Sequence, residues 1–186
     1  MGNFVLQAAG ARKLSVPFIC SGGVSTGKQL AAALALGAEG VNVGTLFCCS
    51  QECIWPQSFK DRLIDSNETD TAITLRPLRN SSRVFKNKTA EEILALEKSH
   101  ANNPNFSYAD YGDIMSGKRG RQAEKDGNSD SGTWAAGQGI GLIEDTPSCQ
   151  EIMRRLMSEA EDTIRERLGG LLVTETASVP VESARL

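Results

Sequence analysis

The chain has 186 residues, 40% of them hydrophobic, and a formal net charge of -3, which suits one globular domain of ordinary size. Acidic and basic residues are interspersed, which excludes a nucleic-acid groove, since that needs a clustered excess of Lys and Arg. The longest weakly polar run, Leu30 to Ala38, falls well short of the roughly 20 residues of a membrane-spanning helix.

In chain order, Met1-Gly2-Asn3-Phe4 has neither the charged nor the apolar region of a signal peptide. Phe4 to Leu14 then carries Leu6, Ala9 and Lys13 at helical spacing, predicting a helix packed before the first strand. Val16 to Cys20 is a short apolar run ended by Ser21-Gly22-Gly23, the pattern of a buried strand leaving into a glycine turn. Thr26 precedes an Ala/Leu-rich helix, Gly27 to Leu36, with Gly37 placed to end it. Val41 to Val43 is the next strand, closed by Gly44-Thr45. Strand, helix and strand over so short a stretch form a βαβ unit with parallel strands, so the fold class is α/β.

Gly22, four residues, then Gly27-Lys28 matches the start of a nucleoside-triphosphate loop. The Ser or Thr that would place a hydroxyl on magnesium is replaced by Gln29, and the following strand ends in Gly44-Thr45 where an Asp is wanted. A phosphate of another kind fits better. Two consecutive strands that each end in a small-residue turn match the site at the top of a (β/α)₈ barrel, where backbone N–H groups and a helix N-terminus hold the anion. Ser21, Gly22, Gly23, Gly44 and Thr45 are the candidate phosphate-binding residues. Glycine lets the backbone approach the oxygens, and Thr45 can add a hydroxyl.

From Ile54 to Asn87 short apolar runs mix with Pro56, Pro77 and polar clusters, and Thr89 with Glu92 reads as a capping box opening a helix. His100 to Ser131 is polar, with Phe106, Tyr108 and Tyr111, and reads as a surface excursion that covers a site. Its basic run, Lys118-Arg119-Gly120-Arg121, reads as a solvated loop answered by Glu124 and Asp126, and His100 as a polar surface residue. Five cysteines without paired spacing point to a reducing compartment. Cys48, Cys49 and Cys53 lack the C-x-x-C spacing of a zinc site and read as small buried thiols.

Gly137-Gln138-Gly139-Ile140-Gly141 is spaced G-x-G-x-G rather than as a dinucleotide fingerprint. Gln138, an amide in a glycine-rich stretch, could donate to a cofactor or substrate or could cap a helix. Pro147-Ser148 opens a long amphipathic helix with Ile152, Leu156, Ala160 and Ile164 on one stripe. One domain is expected over 1–173, with 54–131 as an insertion and a disordered tail over 174–186. Ala184-Arg185-Leu186 matches a peroxisomal C-terminal address, so the expected location is cytoplasmic or peroxisomal.

The stretch VPFICSGGVSTGKQLAAALALGAEGVNVGTLF resembles the last two strands of the nitronate monooxygenase (2-nitropropane dioxygenase) family. RPLRNSSRVFKN, GTWAAGQGIGLIED and PSCQEIMRRLMSEAEDTI are similar in order and character to that family's C-terminal part. The βαβ portion alone is shared with inosine-monophosphate dehydrogenases; the Trp and Gly-Gln segment separates them. The resemblance implies the C-terminal portion of a TIM barrel with a helical and loop insertion and a long closing helix. It implies FMN, with its phosphate on Gly22, Gly23, Gly44 and Thr45, and oxidation of an alkyl nitronate by dioxygen to a carbonyl compound and nitrite. A relative on the same scaffold reduces enoyl thioesters with a nicotinamide. The family's earlier strands and its proposed catalytic histidine lie upstream of the part matched, so no catalytic residue is assigned. An inactive, self-associating half-barrel is the competing expectation.

Overall fold

The computed structural model describes residues 2–172; the expected tail 174–186 and Ala184-Arg185-Leu186 lie outside the described residues. Helix α1 (Asn3–Lys13) leads to strand β1 (Ile19–Ser21), helix α2 (Gly27–Ala35) and strand β2 (Gly40–Asn42). β1 and β2 pair in parallel, from Ile19 opposite Gly40 to Ser21 opposite Asn42, as the βαβ reading requires. Local chemistry fixes both ends of α2. Thr26 and Gln29 form a reciprocal capping box. At the other end Gly37, at φ +95°, turns the chain so that Ala38 N–H reaches the Ala33 carbonyl and Gly37 N–H that of Leu34, a left-handed C-terminal cap open to glycine.

The short helix α3 (Thr45–Cys48) starts directly after β2 and is followed by α4 (Gln57–Ile64). Strands β3 (Thr71–Thr74) and β4 (Ser82–Phe85) then form an antiparallel hairpin, where the sequence suggested irregular chain. Helix α5 (Lys88–Ser99), a 3₁₀ stretch over Tyr108–Met115 and α6 (Gly117–Asp126) complete the insertion. A second 3₁₀ turn, Gln138–Leu142, and the closing helix α7 (Cys149–Asp162) follow.

α7 lies along α2 so closely that a Cβ at Gly27 would run into the Leu156 carbonyl. Ile152, Leu156 and Ala160 are buried there, but Ile164, expected on the same stripe, is 44% exposed, because the helix has changed to a π turn over Thr163–Leu168 and the stripe rotates off its face. The main core joins α3, α4, β4 and α7 around Phe59, Leu63, Phe85, Trp134, Ile140 and Ile152. The Trp134 ring stacks on Phe85, with centroids 4.4 Å apart and planes 16° apart. Stacked and tilted aromatic pairs of this kind add to simple area burial.

Several local readings are corrected. α5 is capped by Asn87, whose side chain accepts from Ala90 N–H; Thr89 is buried inside the helix and Glu92 instead holds Arg119. Lys118 to Arg121 belong to α6 rather than to a loop, and Arg119 sits in that ion pair rather than in solvent. α1 forms as expected but has no buried residue, and Val16 is 62% exposed because β1 begins only at Ile19. The cysteines are free thiols, with Cys20 and Cys49 buried and the others half-buried. Among the described residues no helix is long and apolar enough to cross a membrane, and no cluster of His, Cys, Asp and Glu could hold a metal.

Candidate functional site

The two glycine turns meet at the C-terminal end of the parallel strands. Gly22 and Gly23 have φ of +93° and +76°, a conformation costly for any residue with a Cβ. A Cβ built at Gly23 or Gly44 would meet nothing within 4 Å, so both positions front open space. Gln29, met above as the residue that spoils the triphosphate motif, clamps the first turn. Its Oε1 accepts from Ser25 N–H at 2.7 Å and Thr26 N–H at 3.1 Å, while its Nε2 donates to the Gly23 carbonyl at 2.7 Å. Asn3 Nδ2 donates to the Gly22 carbonyl at 2.6 Å, and Asn42 Nδ2 to Ser21 Oγ at 3.3 Å.

Lys28 points elsewhere. It pairs with Glu159 of α7 at 3.6 Å, and the same carboxylate accepts from Gly27 N–H at 2.6 Å. The positive end of α2 is thereby already matched by a fixed negative charge, which leaves the first turn and the start of α3 to receive an anion. Lys60, 4% exposed, donates from Nζ to the Ser50 carbonyl at 2.6 Å and steadies the other end of α3, where a cation is favoured.

A third segment ties the turns together. Gly137 N–H donates to Thr45 Oγ1 at 2.9 Å, and Ser25 Oγ donates to the Gly139 carbonyl at 2.9 Å. The strap 136–139 passes so near the first turn that a Cβ on Gly139 would collide with Ser25 Oγ and lie 3.1 Å from the Gly23 carbonyl oxygen. Between turns and strap is a cavity of about 290 Å³, lined in part by Ser21, Gly22, Gly23, Gly44, Thr45 and Gly137. Five of the six sequence-predicted residues therefore gather around one space. Gln138 does not line that space. It is exposed and, with Gly22 and Gly23 of the first turn, lines an adjoining cavity of about 590 Å³ that also includes Asn3, Gln7 and Glu68, and it caps no helix, since the 3₁₀ turn it begins has no side-chain cap. The excursion 100–131 contributes nothing to the lining of the smaller cavity, and His100 is spent on the end of α5, where it stacks on Phe106.

The donor set of the smaller cavity suits an anion. Among the described residues no acceptor is found for the N–H groups of the lining residues Gly23, Val24 and Thr45, and Thr45 Oγ1, having accepted from Gly137, keeps its own proton to donate. Cys48 also lines the space, and burial, reinforced by Cys53, pushes its thiol up, so it stays a neutral wall. Sequence reasoning missed Ser25, Gln29 as a clamp, Gly137, Gly139 and Arg83. Only Gln29 left a local signal, its place three residues after Thr26.

The family model for nitronate monooxygenase matches residues 1–159. The chain belongs to the nitronate monooxygenase family. A probable nitronate monooxygenase of Bacillus subtilis (strain 168) is 29% identical over 159 residues, which is 86% of this chain and 44% of that protein. One from Staphylococcus aureus (strain Newman) is 38% identical over 84 residues, 45% of this chain and 24% of that protein. Among solved structures, FabK from Thermotoga maritima aligns with a TM-score of 0.78 at 27% identity, covering 92% of this chain and 52% of FabK. Nitroalkane oxidase from Streptomyces ansochromogenes aligns with a TM-score of 0.70 at 25% identity, covering 89% and 45%. This member of the nitronate monooxygenase family has the fold of the C-terminal portion of a TIM (β/α)₈ barrel, and it spans about half the length of these structures and less than half of the curated relatives it matches.

Proposed function

We propose that the chain carries the cofactor-phosphate site of an FMN-dependent oxidoreductase that oxidises alkyl nitronates with dioxygen to a carbonyl compound and nitrite. The observation that carries the reading is the joining of the two glycine turns through the strap, by the Gly137–Thr45 and Ser25–Gly139 hydrogen bonds, around one cavity. A phosphate monoester is close to a dianion at neutral pH, and backbone N–H groups at a turn and at a short helix after the last barrel strand suit it. When bound, the flavin supplies acceptance of electrons from the nitronate and their delivery to dioxygen. Gly22 and Gly23 let the backbone approach, Thr45 donates its hydroxyl proton, and Gln29 holds the first turn in shape before the ligand arrives. The cavity lining offers neither histidine nor carboxylate, so no anionic side chain there repels a phosphate.

Replacing Gly22 by Val forces a branched side chain into φ +93° and places it at the turn where the phosphate would rest. FMN retention by the purified chain should be abolished, and a flavin absorbance equal to wild type would count against the assignment. The substrate is tested by adding an alkyl nitronate or a reduced nicotinamide to the flavin-loaded chain without oxygen. Bleaching by the nitronate alone is the expected result; bleaching by the nicotinamide alone would move the reading to a flavin enoyl reductase.

A further inference from the structure

The lining of the small cavity contains one charged residue, Arg83. It stands on β4, inside the insertion, and reaches the site through the strap. Ala135 bridges Val84, and Ala136 N–H donates to the Arg83 carbonyl at 3.4 Å, so the residue next to Gly137 is bonded to Arg83 itself. Arg83 is half-buried, and its Nη1 donates to Thr71 Oγ1 at 2.9 Å. Among the described residues no carboxylate comes within ion-pair distance of it.

A guanidinium has five N–H donors, and this one uses a single donor on a neutral hydroxyl. Its charge and its remaining donors are left for solvent or for an anion held in the cavity. The rest of the wall also offers donors: the backbone N–H groups of Gly23, Val24 and Thr45, and the Thr45 hydroxyl. These neutral groups can hydrogen-bond a phosphate but cannot balance its charge. A guanidinium does both at once, and its planar fork offers paired N–H donors in a fixed geometry that a lysine ammonium, a point charge, lacks.

We infer that Arg83 is the charge-matching residue of this site, brought from the β3–β4 hairpin to bind the terminal phosphate monoester, and that it sets a preference for FMN over unphosphorylated riboflavin. The inference rests on the proposed flavin function and adds a residue outside both glycine turns. Thr71 is its positioning residue, holding one edge of the fork.

The test titrates FMN, riboflavin and inorganic phosphate into the 186-residue chain and its Arg83→Gln and Arg83→Lys variants, by flavin fluorescence for the first two and calorimetry for the third. Arg83→Gln should weaken FMN and phosphate roughly ten- to a hundredfold, the loss typical of one charged hydrogen-bond partner, and leave riboflavin unchanged. Arg83→Lys should fall between. Equal FMN and phosphate affinity in wild type and Arg83→Gln overturns the inference and leaves the glycine-turn site standing. A parallel loss of FMN and riboflavin also overturns it, because that pattern marks a structural role. Where riboflavin binds too weakly to measure, phosphate decides: undiminished affinity in Arg83→Gln overturns the inference. A wild-type chain that binds neither FMN nor phosphate removes the proposed function itself, and the inference with it.

Discussion

Gly139 and Gly120 differ in what surrounds them, and that difference is measurable. A methyl group on Gly139 collides with the buried Ser25 Oγ and crowds the Gly23 carbonyl. Gly139→Ala should therefore cost about 1–3 kcal/mol, the usual range for overpacking a filled site, and should weaken phosphate binding by displacing the strap from Thr45. Gly120 lies inside α6, and a Cβ there meets nothing within 4 Å. Gly120→Ala should stabilise by about 0.5–1 kcal/mol through helix propensity and a less flexible unfolded chain. Urea denaturation of the two variants checks both signs; equal effects would mean that the strap is not packed as described.

The β3–β4 hairpin shows what an element can hide from its sequence. Its connection puts Leu75 and Arg79 at φ +62° and +54°, where turn chemistry ordinarily asks for Gly or Asn. Leu75 is held there by long-range partners: Glu97, 8% exposed, accepts from Leu75 N–H at 2.6 Å and from the Tyr111 hydroxyl at 2.9 Å. Tyr111→Phe removes one of two donors from a buried carboxylate and should cost about 1.5–3 kcal/mol. Burial, and then the bond to Glu97, pushes the Tyr111 phenol up. Above pH 10 the unfolded tyrosine loses its proton while the folded one keeps it, so stability falls as pH rises, and Tyr111→Phe should flatten that limb in denaturation curves taken from pH 8 to 11. By contrast α2 was legible from sequence because Thr26, Gln29 and Gly37 specify both ends within the element. The same contrast divides the site. Its glycine turns follow their strands directly and could be read, whereas Arg83 lies on the hairpin that could not, and Gly137 and Gly139 gain their meaning from partners 92 and 114 residues away.

At the scale of the molecule, order is distributed unevenly. α1 buries none of its residues, and Phe4 is 73% exposed, while Ile140 and Ile152 in the main core are at most 1% exposed. Amide exchange should be fastest in α1 and slowest around α7 and the strap, because local opening costs least where little apolar surface is packed; equal protection in α1 and α7 would contradict the packing described. The tie between Gly137 and Thr45 also bears on how the protein is born. A ribosome adding roughly 5–20 residues per second needs roughly 5–20 s to advance the 92 residues that separate them. Throughout that interval the second glycine turn exists without its clasp, and the Glu159 carboxylate that occupies the N-terminus of α2, 132 residues beyond Gly27, arrives later still. Until α7 emerges, the Gly27 N–H and Lys28 lack their carboxylate partner, so the capping of α2 that begins with Thr26 and Gln29 is completed only by the last helix of the barrel portion.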